Sequence, residues 1–510
     1  MRLLAHVRAA LLPLALTASA AAAQQASPYV PNDDPLLPLL EHLILRGDVE
    51  DPSPQVRPFR RADAVRVLAR ADSGVGVDLD ERAMALVERL LRHYRDPIAD
   101  DDHGTLFAEA RGGFQSYSQT RRDLLQPGTD GGSAPYAEGQ LRLGYDRLAM
   151  ATRMTAERRL FFDPDWPRAP ADTTLMFRVP DAYASAQFGF GSVFLGTVAR
   201  NWGPVGLPGY GLGDYRYQMG ELGFDLGTRT VRLQASLQRL YNNRRTDGTQ
   251  VQRYLMAHRL GLRVDRRLHV ALWESVIASG VDRGWELRFA NPFTFITGLN
   301  QYGVFDDNTN IMFGADVHWR PTRAVLLEAQ LAIDDLTLGR GRCPACPASR
   351  IGYTFTAGGP LAARLSWRVL ASRTSSLFGR TGDPGDNFSD RSVGIGRPFV
   401  DNEQVTLRVG IPLGTVLVQP EVTRFVQGEG RLADPFPARP QDAPVFFLGT
   451  PTRTWHVGGS VTGRRGPLDV MAQGGYQRIS DAGHVAGASA SRWVGRLQVT
   501  VGASVARAIR

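Results

Sequence analysis

Along most of this chain apolar and polar residues alternate one for one. In "TVRLQASLQRL", Val231, Leu233, Ala235 and Leu237 interleave with Arg232, Gln234, Ser236 and Gln238. Successive residues of a strand point to opposite faces, so this stretch has one apolar and one strongly polar face. "LRLGYDRLAM" (141–150), "HRLGLRV" (258–264), "LLEAQLAIDD" (326–335), "QVTLRVG" (404–410) and "GRLQVTVGASV" (495–505) repeat the pattern. A soluble sandwich also alternates, but it buries large side chains and uses short strands. Here the apolar members are Leu, Val, Ala or Gly, and Tyr145, Trp319, Trp367 and Trp493 fall near segment ends. That is the pattern of an outer-membrane barrel, whose outer face meets lipid and whose inner face is polar. Val231, Leu233, Ala235 and Leu237 are then expected against hydrocarbon, and closure follows because lipid cannot satisfy an open sheet edge. Roughly 400 residues at about 20 to 25 per strand and turn predict an all-β transmembrane barrel of about 16–18 antiparallel strands.

The first hundred residues have a different period. "DPLLPLLEHLILRGD" places Leu36, Leu39, Leu40, Leu43 and Ile44 on one helical face, with Asp34 as N-cap and Gly47 as stop. "FRRADAVRVLARAD" (59–72) and "DLDERAMALVERLLRHYRDP" (78–97) predict two further helices, the latter opening on acids and closing before Pro97. Before them, Arg2 and Arg8 flank an apolar run that ends in "AAAQQ", the arrangement of a secretory signal peptide. The expected organisation is a signal peptide at 1–23, a small α-helical domain in the periplasm at 24–102, and the barrel at 103–510.

Composition narrows the partners. With 43% hydrophobic residues the chain folds, and after residue 24 no run of about 18 apolar residues predicts a membrane-spanning helix. The sequence contains no Lys, so all 59 Lys+Arg residues are Arg, and the formal charge is +8. Every side-chain cation other than His is therefore a planar fork suited to carboxylate or phosphate. No basic run or recognition motif points to nucleic acid. The two cysteines, Cys343 and Cys346, sit among turn residues in "GRCPACPASR" and suit a small loop disulfide in an oxidising compartment.

Several stretches together resemble the Wzi family of capsule-assembly outer-membrane proteins. They are "PLLPLLEHLILRGDV…RPFRRADAVRVL", "RNWGP" (200–204), "WESVIASG" (273–280), "FANPFTFI" (289–296), "DDNTNIMFGADVHWRP" (306–321) and "QLAIDDL" (330–336). Beyond residue 340 the likeness is one of barrel texture alone. The resemblance implies a monomeric barrel plugged by inward-folded segments, with a periplasmic helical bundle. It also implies a lectin-like, non-catalytic role in holding capsular or other surface polysaccharide, in company with polysaccharide export machinery and outer-membrane lipid. The chain departs from the usual barrel ending in an aromatic residue: it closes on "VARAIR", so the last strand is expected to stop near Val505 or to carry a degenerate insertion signal.

Chemistry and family position select Arg200, Asn201, Trp202, Tyr210, Tyr215, Glu274, Asn291, Asp306, Asp307 and Asn308 as candidate polysaccharide-binding residues. "RNWGPVGLPGYGLGDYRYQMG" combines glycines with aromatic faces as a sugar-stacking loop does, or as a Gly-rich turn does; Arg200 suits a uronate or a neighbouring lumen acid. "FDDNTN" spaces Asp306, Asn308 and Asn310 like a calcium loop, but Ile311 and Val317 stand where Gly and Glu are needed, so no metal is assigned. Asp334 and Asp335 are adjacent and point to opposite faces, which disfavours a shared-proton pair. No H-E-x-x-H or G-x-S-x-G motif is present, and no cofactor or enzymatic activity is expected. The alternative is a sugar- or anion-selective porin with a wall-contacting periplasmic module, since open and plugged barrels share this alternation.

Overall fold

The structure, a computed structural model, describes residues 26–73, 79–95, 104–166, 176–217, 220–244, 247–284, 286, 291, 293–296, 309–337, 346–362, 364–391 and 393–509. Residues 1–23, read above as a signal peptide, lie outside them. Eighteen antiparallel strands close into a barrel. In chain order they are β1 (Gly104–Gln119), β2 (Asp130–Tyr145), β3 (Leu148–Glu157), β4 (Met176–Phe188), β5 (Gly191–Thr197) and β6 (Glu221–Gly227). Next come β7 (Val231–Arg239), β8 (Gln250–Arg263), β9 (Leu268–Gly280), β10 (Thr309–Thr322), β11 (Val325–Asp335) and β12 (Arg350–Pro360). The last six are β13 (Ser366–Thr374), β14 (Asn402–Leu413), β15 (Val416–Gln427), β16 (Thr452–Arg465), β17 (Leu468–Ser480) and β18 (Ser489–Ile509). Each strand pairs with its sequence neighbour, and β18 closes on β1 from Arg496 opposite Tyr117 to Ile509 opposite Gly104. The last strand therefore runs past Val505 to Ile509, because the first strand offers a hydrogen-bonding edge along that whole length.

Alternation builds the wall. In β3, Leu148, Met150 and Met154 stand outward and exposed, while Ala149, Ala151, Arg153, Thr155 and Glu157 are buried inside. At one end the strands are joined by tight turns, several of which need a positive φ: Asp146 (47°), Gly414 (66°) and Gly466 (60°). The other end carries the long connections. Outward aromatic residues ring both ends, Tyr145 and Trp319 near the tight turns, Trp455, Tyr476 and the 75% exposed Trp493 near the long loops.

The helices sit at the tight-turn end. They are α1 (Leu37–Arg46), α2 (Arg61–Asp72) and α3 (Glu81–Tyr94). Asp80 caps α3 through the amides of Arg82 and Ala83, and Gly47 ends α1 in the left-handed region with φ 81°. Asp34 is not the N-cap proper; Leu36 holds that position, and Asp34 accepts its amide at 2.9 Å. Leu39, Leu40, Leu43, Leu68, Val87 and Leu90 form their common core, which also takes in Leu417 of β15. Helix α1 is tied to the barrel: Arg46 donates to the Ala362 and Leu365 carbonyls, and His42 meets Ser366 Oγ at 2.8 Å and the Arg364 carbonyl at 3.0 Å.

Candidate functional site

The inner face is not polar throughout. Leu255 and Ala257 of β8, Trp273 and Ile277 of β9, and Ala332 of β11 make an apolar patch inside the barrel, and a plug packs on it. Three segments supply the plug. From the helical end, Val56 and Arg57 enter the lumen and pair antiparallel with Trp202 and Asn201 of the loop between β5 and β6. From the long-loop end, Phe378, Phe388, Ile395 and Val400 of the β13–β14 connection join the same cluster. Gln55 completes the junction: its carbonyl accepts the Gly203 amide at 2.9 Å, and its side chain donates to the Val317 and Ala329 carbonyls. Close approach explains the glycines here: a Cβ on Gly209 would lie 1.7 Å from the Trp202 carbonyl oxygen.

Most of the residues selected from the sequence in this loop build the plug. Trp202 is 2% exposed, bridging Val56 on one side and Leu212 on the other. Asn201 is buried, its Oδ1 accepting the Gly209 amide at 2.6 Å. Tyr210 is buried edge-on to Phe378, and its hydroxyl donates to the Tyr353 and Arg373 carbonyls at 3.1 and 3.0 Å. Arg200 pairs with the lumen acid Glu221 and stacks over Phe194 at 4.6 Å. Within the plug, then, the Gly-rich stretch is a packed turn rather than an open sugar platform. Tyr215 is the exception: half-buried, it donates to Asp165 at 2.7 Å and faces a cavity.

The remaining candidates lie elsewhere. Glu274, selected as a polysaccharide-binding candidate, is 1% exposed and points to the outer wall, where it meets His258 at 3.1 Å and accepts the Ile296 amide at 2.8 Å. Its neighbour Trp273 takes the inward position and donates to Asp316 at 2.9 Å, so strand parity sends Glu274 out. Ile296 covers this patch together with Leu237, Met256 and Val276. Leu237 is thereby shielded, whereas Val231 at the other end of β7 stays 44% exposed on the outer surface. Asn291 is exposed, its Oδ1 accepting the Phe293 amide at 3.1 Å in a local turn. Asp306, Asp307 and Asn308 lie outside the described residues, as does Cys343; Cys346 is disulfide-bonded, and Cys343 is the chain's other cysteine. Asp334 and Asp335 are both reached by Arg350, at 3.3 and 3.1 Å, across an irregularity in the β11–β12 register. Among the described residues no group of three or more His, Cys, Asp or Glu could hold a metal ion.

Beside the plug a cavity of about 450 Å³ opens between β1–β4, β16–β18 and the chain at Pro31–Pro35. Its wall holds a charge network that the alternation implied only in kind. Arg153 pairs with Asp181 at 2.7 Å and Asp33 at 2.8 Å, Arg159 with Asp163 at 2.6 Å, and Arg464 with Asp469 at 2.6 Å. Tyr117, Tyr136 and Tyr215 interleave with these charges. Individual residues such as Arg122 and Arg496 could not be singled out beforehand, because nothing local distinguishes them from the paired arginines on other polar faces.

No protein-family model matches the sequence, and no curated protein matches it. Among solved structures the chain is similar to Wzi of Escherichia coli, an outer-membrane protein involved in group 1 capsule assembly and a carbohydrate-binding β-barrel. The TM-score is 0.63 at 13% identity, over 93% of this chain and 99% of that one. A BenF-like porin of Pseudomonas fluorescens Pf-5 matches with TM-score 0.43 and 9% identity over 80% of this chain and 99% of that one. OccK3 of Pseudomonas aeruginosa matches with 0.42 and 11% over 79% and 96%. At such identities the likeness to Wzi is one of fold: a closed outer-membrane-type barrel with helices at its tight-turn end.

Proposed function

We propose that this protein is a non-catalytic outer-membrane β-barrel that binds and organises capsular or other surface polysaccharide. The observation that carries the reading is the filled lumen. A barrel meant to pass solutes keeps a water-filled bore, whereas here Val56, Trp202, Tyr210 and Phe378 form an apolar core across one side of it. The similarity of fold to a carbohydrate-binding barrel over 93% of the chain supports the same reading. The long loops then lie outside the cell and the helices in the periplasm, where they are placed to meet polysaccharide export machinery; the closed strand circle needs no second copy.

Planar-bilayer recording of the refolded full chain, with folding verified by heat-modifiable gel migration, tests the closed barrel. The expected result is no steady conductance, together with retention on immobilised surface polysaccharide from the host cell. Large steady conductance without such retention would make the protein a porin.

A further inference from the structure

We infer that the cavity beside the plug binds a carboxylate-bearing stretch of glycan through Arg122, Arg178 and Arg496. This rests on the polysaccharide reading above and names the ligand class and the residues. The cavity's arginines divide into two sets. Arg111, Arg153, Arg159 and Arg464 each have a carboxylate within ion-pair distance. The side chains of Arg122, Arg178 and Arg496 have no hydrogen bond or ion pair among the described residues. The Nε and Nη2 atoms of Arg122 are buried and unmet, a costly state for a charged donor unless an acceptor arrives.

Two of the unpaired set, Arg122 and Arg178, are also held in place. The Arg122 guanidinium lies over the rings of Tyr215 and Tyr217, at 4.7 and 4.3 Å from their centroids, and Arg178 lies over Tyr217 at 5.1 Å. Those rings are fixed in turn, Tyr215 by donating to Asp165 at 2.7 Å and Tyr217 by donating to Asp163 at 2.5 Å. A rigid fork with open N–H groups is matched to a planar carboxylate. The lining as a whole carries seven arginines and eight carboxylates, and Asp123 and Asp214 are also without an ion-pair partner, so it is only among the unpaired groups that three guanidinium groups stand against two carboxylates. Those carboxylates accept sugar hydroxyls, while the rings of Tyr117 and Tyr215 offer apolar faces to a sugar. A neutral chain would leave the guanidinium groups unmet, and a fully charged inorganic anion would not use the tyrosines. A volume of about 450 Å³ falls within the usual range for a small-molecule site, roughly 300–1,000 Å³.

The test is calorimetric titration of the refolded full chain with tetragalacturonate and, separately, with the neutral maltotetraose, at low and high salt. Tetragalacturonate is expected to bind, to weaken with salt, and to weaken about tenfold in each of R122Q, R178Q and R496Q, the loss of one charge-assisted contact. The control R232Q, whose arginine pairs with Asp225 away from the cavity, is expected to bind like the parent. Heat-modifiable migration confirms that each variant is folded. Undiminished uronate binding in all three variants overturns the site. Equal or tighter binding of the neutral sugar overturns the ligand class and leaves the polysaccharide reading standing. Binding of neither sugar, in a protein that still captures host surface polysaccharide, also overturns only this inference; failure to capture that polysaccharide overturns both.

Discussion

At the scale of single residues, the pair His258 and Glu274 is the oddest placement in the wall. Both side chains sit on the outer face, among residues that elsewhere meet lipid, yet both are buried, under Ile296. A buried hydrogen-bonded pair of polar side chains contributes little net stability, whereas removal of one partner leaves the other buried and unsatisfied. Glu274→Leu alone is therefore expected to destabilise the barrel by about 1–3 kcal/mol. His258→Leu combined with Glu274→Leu is expected to recover most of that loss, because neither side chain is then left without its partner. The temperature at which the folded gel band disappears reads both variants. If the double variant is as unstable as the sum of the singles, the pair does not act as a unit. The sequence displayed Glu274 but not its side of the wall. Strand parity is set by register, and the register of β9 comes from its twelve partners in β8, Gln252 to Arg263, rather than from "WESVIASG" itself.

At the scale of elements, helices and strands were legible because each repeats its own period for several turns. The three helices lie where the 3.6-residue pattern places them, and the one-to-one alternation extends through the barrel strands. What that pattern does not encode is insertion of Gln55–Arg57 and Asn201–Leu212 into the lumen, since neither piece buries an apolar face until the other arrives. The docking of α1 depends on a titratable group. His42 is buried against Ser366 and Arg364, and burial, with Arg46 nearby, pushes its imidazole down to about 4. Its ordinary value is about 6.5. The native state thus binds fewer protons than the unfolded state between these values, and stability rises with pH across that window. On acidification from about pH 6.5 towards 4 the contact of α1 with the β12–β13 turn is expected to weaken, by up to roughly 3 kcal/mol. Hydrogen exchange at the amides of α1 checks this: the protection factor, the ratio of chemical to observed rate, should fall on acidification over that range in the parent and stay constant in His42→Gln. A variant with the parent's profile would assign the effect to another group.

At the scale of the whole molecule, two features coexist in one bore: an apolar plug against β8–β11 and a charged cavity against β1–β4 and β16–β18. The barrel could be read from alternation and length, because every lipid-facing strand must satisfy its backbone in the same way. The division of its interior could not, because Trp273 and Ile277 look like outer-face residues until the loop carrying Trp202 and Tyr210 covers them. On the closed-barrel reading proposed above, closure rests on a few large side chains, and removing them should open the bore. Trp202 and Leu212 are bridge partners, with the Trp202 amide donating to the Leu212 carbonyl at 2.9 Å, so a tight Asn-Gly turn can replace Gly203–Gly211 without displacing either strand end. That replacement deletes Tyr210, whose burial contributes about 3–5 kcal/mol on the scale of large aromatic truncations, but it leaves all eighteen wall strands intact. The parent is expected to stay silent in a planar bilayer, and the shortened variant to conduct steadily while keeping its heat-modifiable migration. If the shortened protein folds and stays silent, the Val56 ribbon and the β13–β14 connection close the bore by themselves. The plug is then redundant in construction, and the Gly-rich loop serves to hold Tyr215 and Tyr217 against Arg122 rather than to seal the barrel.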